Sequence, residues 1–320
     1  MKKIFQAGFL AAVFAIPASA QSATGPLAQA NAALQAGEAD RALTLLSSLP
    51  PSAESHYLKC RVFYSLEDWE LAASECQQAV NADGQNSEDH LWLGRALGEK
   101  ADRASFLSAF SLAKRVREEF EEAARLSPRN AEALADLGEF YYNAPGIVGG
   151  GTDKAEAIAS RLDKVDPTRA FELRAGIAKQ LKDYDAAERN FKQAIAVSEH
   201  PAFQWMRLAS FYRQRGRWPE MEAAVQSGLN AAEHDRHAGV ALFNGSSVLT
   251  EAGRNLELAT RMLQEYLAGS SKTEEAPAFV AHTRLARIAA RLGDVAAAKR
   301  ERAAALELAH DYRPAQELKF

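Results

Sequence analysis

A helical hairpin built around small side chains recurs along most of this chain and constrains its fold more than any other feature. The clearest copy lies between residues 130 and 167. Leu134, Leu137 and Tyr141 recur there at spacings of three, four and seven residues, which is typical of one face of an α-helix. A second apolar set with the same spacing follows an APGIVGGG loop, and a proline ends the unit. The pattern predicts two antiparallel helices joined by a loop.

The same plan repeats on both sides of this copy. Alanine, leucine, glutamate and arginine dominate, alternating strand-like runs are absent, and Gly or Pro recurs at about the length of a helix pair. The fold class is therefore all-α. Eight hairpins are expected, at residues 25–51, 52–84, 90–128, 130–167, 168–201, 202–232, 237–267 and 278–310. An insertion near 99–115 keeps helical spacing and predicts a helix extension or a short extra helix, and a second insertion at 144–151 forms the long loop.

Small residues explain why the unit repeats. A small residue on the first helix facing one on the second lets the two backbones approach, while larger apolar side chains bury against the next hairpin. The first-helix residues are Cys60, Gly94, Gly138, Ala175, Ala209, Gly245 and Ala286, and the second-helix residues are Ala72, Ala155, Ala187, Ala259 and Ala298. We therefore expect an elongated, right-handed α-solenoid of about eight helix-turn-helix hairpins with a concave inner surface.

The hairpin resembles the tetratricopeptide repeat (TPR), a helix-turn-helix unit of about 34 residues. The resemblance covers about residues 25–310 and is strongest in LWLGRAL from Leu91, ALADLGEFYY from Ala133 and DYDAAERNFKQAI from Asp183. The SFLSAFSLAK insertion followed by the APGIVGGG loop also resembles a subgroup of exported bacterial TPR proteins of unknown role. This resemblance implies a shared shape and names no activity.

The first twenty residues have the pattern of a secretory signal peptide. Lys2 and Lys3 precede a run of about 13 mostly apolar residues, too short for a membrane span of about 20, and an Ala-Ser-Ala sequence ends at Ala20. We expect cleavage after Ala20, export to the bacterial periplasm and a soluble mature chain. The expected layout is a signal peptide (1–20), a solenoid (21–267), a flexible linker (268–277), and a last hairpin with the start of a capping helix (278–320).

Charge disfavours nucleic acid as a partner. Removing Lys2 and Lys3 from 38 basic residues leaves 36 against 42 acidic ones. Binding to phosphates requires a basic face.

Cys60 and Cys76 are the two cysteines of the chain, and each is expected on the inward face of one helix of the second hairpin. An oxidising compartment favours a disulfide between them. Two buried thiols at small-residue positions are the alternative, because a bridge requires Cα atoms within about 7 Å.

The loop at 144–151 has two interpretations. Its glycines precede a helix, as in loops that hold phosphate with backbone amides, but the required residue order and preceding strand are absent. A shaped connector is favoured, in which Pro145 ends one helix and Thr152 or Asp153 caps the next. The alternative is a protein contact made by exposed Ile147 and Val148.

The sequence offers no catalytic set and no expected metal or cofactor. Glu233, His234, Asp235 and His237 form its one histidine cluster, but zinc-site spacing is absent and a solvated turn is favoured. A serine nucleophile elbow is also absent. We therefore do not expect an enzyme.

The concave groove is the candidate binding site. By resemblance to peptide-binding repeats, first-helix residues just beyond each small residue should face it. These residues are Arg61, Tyr64, Arg95, Glu139, Tyr142, Ser210, Arg213, Arg287 and Arg291. Arginines with tyrosines can hold a carboxylate or an extended peptide, and a solvated face is the alternative.

These features together predict a non-catalytic protein-interaction scaffold that holds a peptide or partner segment in its groove. The alternative is a ligand-binding accessory subunit of an envelope transporter, in which the groove closes on a small acid. The partner and the oligomeric state are not indicated by the sequence.

Overall fold

A computed structural model describes residues 25–320 except His234, Arg236, His237 and Ser271. The predicted signal peptide (1–20) lies outside the described residues. Within the described ranges the chain is helical and contains no strand. The helices are α1 (Pro26–Ala36), α2 (Ala39–Ser47), α3 (Ala53–Ser65), α4 (Trp69–Ala82), α5 (Ser87–Arg103), α6 (Phe106–Leu126), α7 (Ala131–Asn143), α8 (Thr152–Leu162), α9 (Pro167–Gln180), α10 (Tyr184–Val197), α11 (Pro201–Gln214), α12 (Trp218–Ala232), α13 (Gly239–Ala252), α14 (Leu256–Ala268), α15 (Ala278–Arg291), α16 (Val295–Leu308) and α17 (Arg313–Gln316).

Consecutive helices pack in pairs, which confirms the predicted α-solenoid of eight TPR-like hairpins. Hairpin 1 is α1 with α2, hairpin 2 is α3 with α4, and so on to hairpin 8, which is α15 with α16; the short helix α17 follows. No helix in the described part of the chain is both long and apolar enough to cross a bilayer.

The small residues lie where expected, but the glycines accommodate large neighbours. A methyl group on Gly94 would lie 2.5 Å from the Phe120 ring, which belongs to the second helix of the same hairpin. A methyl group on Gly138 would lie 2.4 Å from Leu173, which belongs to the next hairpin. At these positions a large apolar side chain packs directly on the helix backbone. The nearest neighbours of these two glycines are therefore large side chains and not the small residues that the sequence predicted.

Aspartate N-caps set three of the tight turns inside hairpins. The side-chain Oδ1 of Asp68, Asp183 and Asp294 accepts the N–H of the residue three positions later, at 3.1, 2.9 and 2.8 Å. The residue before each aspartate has a positive φ; these residues are Glu67, Lys182 and Gly293. A left-handed residue ends the first helix and the aspartate begins the second.

Cys60 of α3 and Cys76 of α4 are joined by a disulfide, with Cα atoms 5.1 Å apart. Both side chains are buried. The bond ties the two helices of hairpin 2 to each other.

The insertion near 99–115 lengthens both helices of hairpin 3. Helix α5 continues to Arg103 and α6 starts at Phe106, so the extra residues form a helical arm rather than an additional helix. Phe106 and Leu107 at its tip are 85% and 81% exposed.

The loop at 144–151 uses its own amide groups. Three consecutive glycine N–H groups donate to main-chain carbonyls nearby: Gly149 to Gly146 at 2.9 Å, Gly150 to Pro145 at 3.2 Å and Gly151 to Tyr141 at 2.7 Å. The side chain of Lys154 donates to the Gly149 carbonyl at 2.8 Å. Because these amides are already engaged, the loop is a shaped connector and not a phosphate cradle.

Two details of this loop differ from the prediction. Ile147 is 76% exposed, but Val148 is 4% exposed, because the loop folds back on α6, where Arg117 Nη1 donates to the Val148 carbonyl at 3.3 Å. Helix α8 begins at Thr152 with Gly151 at the N-cap, so neither Thr152 nor Asp153 caps it.

Hairpin 8 returns to contact hairpin 1, so the array closes into a ring. Phe279 of α15 is buried in one apolar cluster with Leu34 and Leu46 of hairpin 1. The main-chain N–H of His310 donates to the Asp40 carboxylate at 3.0 Å. The expectation of an elongated superhelix is therefore wrong, because small rotations between successive hairpins add up over eight units to about a full turn.

The segment at 269–277 links hairpins 7 and 8 and is held by contacts with its surroundings. Both oxygens of Glu274 accept hydrogen bonds from Arg61 of hairpin 2, at 2.5 and 2.9 Å. The hydroxyl of Tyr266 donates to the buried Ala276 carbonyl. The linker is thus part of the seam that closes the ring and not a free joint.

Gly94 and Gly98 on α5 form a matched pair that tests the close packing. Nothing lies within 4 Å of a methyl group added at Gly98, so we expect Gly98→Ala to raise the free energy of unfolding by up to about 1 kcal/mol through helix propensity. We expect Gly94→Ala to lower it by about 1–3 kcal/mol, because the methyl group meets Phe120. Urea denaturation followed by circular dichroism measures both, and equal changes would contradict the packing.

A second pair, Gly37 and Gly253, tests the ring closure. Both have left-handed φ angles, +74° and +65°, so alanine costs roughly 1–2 kcal/mol at either position. Only Gly37 faces hairpin 8, where an added methyl group would lie 2.3 Å from the Ala278 nitrogen. We expect Gly37→Ala to lose more stability than Gly253→Ala and to increase the radius of gyration in small-angle X-ray scattering. Identical stability losses with an unchanged radius would argue against a closed ring.

Candidate binding cavity

The ring encloses a central cavity of about 1020 Å³. The first helices of hairpins 2 to 8 and the segment at 269–277 contribute to its wall. Because each first helix occupies an equivalent place in its hairpin, side chains at equivalent positions converge on the same space. The predicted concave groove is therefore a bounded cavity.

Arginines and carboxylates both line the cavity wall. Five arginines line it: Arg61, Arg95, Arg169, Arg207 and Arg284. Seven acidic residues line it: Glu67, Glu132, Asp166, Glu172, Glu199, Glu274 and Glu275. The wall therefore carries both signs of charge, with more acidic than arginine side chains.

Arg61 is held in place from both sides. Its guanidinium pairs with Glu274 at 2.5 Å, and each side chain of the pair is 12% exposed. The guanidinium carbon also lies 4.9 Å from the centre of the Tyr57 ring and 5.6 Å from that of Trp92. An ion pair that is this shielded from water is screened little by salt. The pair therefore both shapes the cavity and closes the seam.

Arg95 lies next to Arg61 and has two carboxylate partners. Its Nε pairs with Asp136 at 2.5 Å and its Nη2 with Glu132 at 3.1 Å. Burial lowers the pKa of Arg95, but these two carboxylates outweigh burial and raise the pKa above its ordinary value. Arg95 is therefore fully charged and fixed in orientation.

Arg169 and Arg207 also pair with carboxylates. Arg169 lies 3.3 Å from Asp166 and 3.6 Å from Glu132. Arg207 lies 3.4 Å from Glu172. Both pairs are looser and more exposed than that of Arg61.

Arg284 of α15 differs from the other four. Its Nη1 donates to the Phe243 carbonyl at 3.3 Å and to the hydroxyl of Ser247. Its guanidinium carbon lies 3.8 Å from the centre of the Phe243 ring. Within the described residues it forms no ion pair with a carboxylate. Burial lowers its pKa to about 10, so it remains a cation at neutral pH.

Aromatic rings line the cavity between the charges. Tyr64 packs edge-on against Trp92, with ring centres 5.3 Å apart, and burial raises the pKa of Tyr64 to about 12. Phe203 and Phe243 lie on the side of the wall that carries Arg207 and Arg284. At neutral pH the tyrosine is uncharged, so these rings offer flat apolar surface and the hydroxyl group of Tyr64.

Three of the nine predicted groove residues line the cavity: Arg61, Tyr64 and Arg95. The other six do not: Glu139, Tyr142, Ser210, Arg213, Arg287 and Arg291. Arg213 pairs with Glu251, and Arg291 donates to the Thr250 carbonyl. In the later hairpins the residues that line the cavity lie one or two turns closer to the start of each first helix than the predicted positions. Positions that follow the small residue therefore lie outside the cavity.

The residues that the sequence did not single out include Trp92, Arg207, Phe243 and Arg284. Each lies two positions before the small residue of its hairpin, at Gly94, Ala209, Gly245 and Ala286. A search for large residues at this offset would have found them. Such positions share a helix face with those one residue beyond the small residue.

The described part of the chain shows no candidate metal site. No group of His, Cys, Asp and Glu side chains there could hold a metal ion. His234 and His237 of the predicted cluster lie outside the described residues, while Asp235 accepts a hydrogen bond from the His200 ring at 2.8 Å. The described wall carries ion pairs, aromatic faces and one guanidinium without a carboxylate partner among the described residues.

Comparison with known proteins gives distant similarity. No family model matches the chain. Superkiller complex protein 3 of Mus musculus is 25% identical over 248 residues, which are 73% of this chain and 15% of that protein. The Homo sapiens protein of the same name is 26% identical over 219 residues, 65% of this chain and 13% of that protein. The chain thus spans a small fraction of the length of the relatives that it matches.

Solved structures are also similar only in part. A thermophilic TPR protein of Thermus thermophilus has 21% identity and a TM-score of 0.48, covering 58% of this chain and 96% of its own. PilF of Pseudomonas aeruginosa has 15% identity and a TM-score of 0.37, covering 83% of this chain and 97% of its own. The TPR-like architecture rests on the chain's own helices and their pairing.

Proposed function

We propose that this protein is a non-catalytic scaffold that holds an extended segment of a partner protein in its central cavity. The cavity itself supports this proposal most directly, because seven first helices direct charged and aromatic side chains into one bounded space. Arginine clusters that bind acidic groups and grooves lined by aromatic side chains are recurring means of binding peptide segments. The lining of the cavity supplies both.

The fixed orientation of the arginines supports a binding role. Arg61 and Arg95 are each held by carboxylates at 2.5 Å and lie against aromatic rings. Side chains that are already ordered lose little conformational entropy when a ligand arrives. The wall is therefore preorganised on the side formed by hairpins 2 and 3.

A small-molecule role is the second candidate: a ligand-binding accessory subunit of an envelope transporter. The closed seam favours it, because the contact of hairpin 8 with hairpin 1 completes the ring of helices around the cavity. The cavity volume of about 1020 Å³ also lies at the upper end of the usual range for small-ligand sites, about 300–1,000 Å³.

The charge of the lining disfavours nucleic acid as the ligand in either proposal. Acidic residues outnumber arginines on the wall, whereas phosphate chains require a basic surface.

Export is the third part of the proposal. The N-terminal sequence supports a signal peptide that is cleaved after Ala20 and delivers the chain to the periplasm. The mature protein is then expected to begin at Gln21, which mass spectrometry of the protein from a fractionated bacterial host would check. An uncleaved protein in the cytoplasm would overturn this part.

Photo-cross-linking tests which class of ligand the cavity holds. A photoreactive phenylalanine analogue replaces Phe203 in the cavity, and the matched control carries it at Phe106, at the tip of the helical arm. We expect a discrete protein adduct in envelope extracts from the Phe203 position and not from the Phe106 position. A co-purifying small molecule with no protein adduct at Phe203 would favour the second candidate. Absence of both, or equal adducts at the two positions, would refute a cavity-binding role.

A further inference from the structure

Four of the five cavity arginines have a carboxylate partner, and the fifth, Arg284, has none among the described residues. Arg61, Arg95, Arg169 and Arg207 each lie within ion-pair distance of a carboxylate. Arg284 donates only to the neutral acceptors Phe243 O and Ser247 Oγ within the described part of the protein. It is the one cavity arginine whose charge is left uncompensated by an ion pair there.

The geometry of Arg284 leaves part of its guanidinium available. A guanidinium carries five N–H donors, and the contacts to Phe243 and Ser247 both use Nη1. The Phe243 ring lies 3.8 Å from the guanidinium carbon and fixes the plane of the group. The remaining donors include those of Nη2 and Nε, which together match the two oxygens of a carboxylate.

Burial makes an anionic ligand favourable at this position. A partly buried cation has lost much of its hydration, and this loss is reflected in the lowered pKa of Arg284. An anion that enters the cavity can replace the lost hydration with two charge-assisted hydrogen bonds.

The rest of the wall limits which anion fits. Seven acidic residues face the same cavity and would repel a phosphate or any ligand with several negative charges. Val240, Phe243 and Val280 line the wall together with Arg284 and provide apolar surface. These neighbours fit a single carboxylate attached to a hydrocarbon or aromatic group.

We propose that Arg284 anchors the carboxylate of the cavity's occupant, with the occupant's apolar part against Phe243, Val240 and Val280. This inference rests on the proposed function, because it requires that the cavity binds a ligand. A carboxylate of this kind can come from a free monocarboxylic acid or from the C-terminus of a peptide.

Isothermal titration calorimetry with matched probes distinguishes the two sources. One probe pair is octanoate and octanamide; the other is a pool of N-acetylated random heptapeptides with free or amidated C-termini. We expect one pair to bind, with the carboxylate form about tenfold to a hundredfold tighter than its amide, as for a hydrogen bond to a charged group. Preference for octanoate identifies a free acid, and preference for the free peptides identifies a C-terminus.

Variants of one helix provide the controls. We expect Arg284→Gln to bind the carboxylate probe about tenfold to a hundredfold more weakly and the amide unchanged. Arg284→Lys should be intermediate, because it keeps the charge and loses the planar pair of donors. Arg291→Gln, on the same helix but outside the cavity, should bind as the wild type does. Melting temperatures check that each variant is folded.

The outcomes separate this inference from the proposed function. If peptides bind the wild type equally as acids and amides, or bind Arg284→Gln and the wild type equally, the Arg284 assignment is overturned while the binding role stands. If neither probe pair binds and the Phe203 cross-link yields no adduct, both proposals fall. Should Arg284→Gln fail to fold, the comparison of acid and amide on the wild type still decides the assignment.

Discussion

Direct packing of side chains on glycine backbones is the contact on which the rest of the structure depends. At Gly94 the Phe120 ring, and at Gly138 the Leu173 side chain, occupy the space that a Cβ would take. Each contact fixes how closely and at what angle one helix crosses its neighbour. The angle within a hairpin determines how the next hairpin stacks, so a local packing detail is carried along the whole array. Phe279 therefore reaches hairpin 1 only because the intervening units turn by the correct total amount.

Closure changes what the repeated unit can do. In an open array each hairpin contacts only its neighbours, and the concave side is a groove open to solvent. Here the ion pair of Arg61 with Glu274 and the burial of Phe279 join distant parts of the chain. Arg61 and Glu274 also line the cavity, and Phe279 lies on the same helix as Arg284. Stability of the seam and properties of the site are consequently set by the same residues.

The sequence predicted the parts of the structure that depend on local information. The hairpin spacing and the helical nature of the insertion near 99–115 both follow from short-range periodicity. Closure could not be predicted in this way, since it depends on the sum of small rotations that no single repeat reveals. Six predicted groove positions lie outside the cavity for a related reason: Arg213 and Arg291 are on the expected helices, but an earlier turn of those helices lines the cavity. Val148 was expected to be exposed, but it is buried. The burial depends on a tertiary contact with α6, which local sequence patterns do not reveal.

The seam between Gly37 and Ala278 also limits how such a protein can evolve. Open repeat proteins lengthen or shorten by duplication or loss of whole units, because a new unit needs only two compatible neighbours. In a ring, gain or loss of one hairpin would carry α15 away from α1 and leave Phe279 without its pocket. The geometry of the ring therefore constrains the number of hairpins, whereas the arm that ends at Phe106 lengthens one hairpin without changing how many there are.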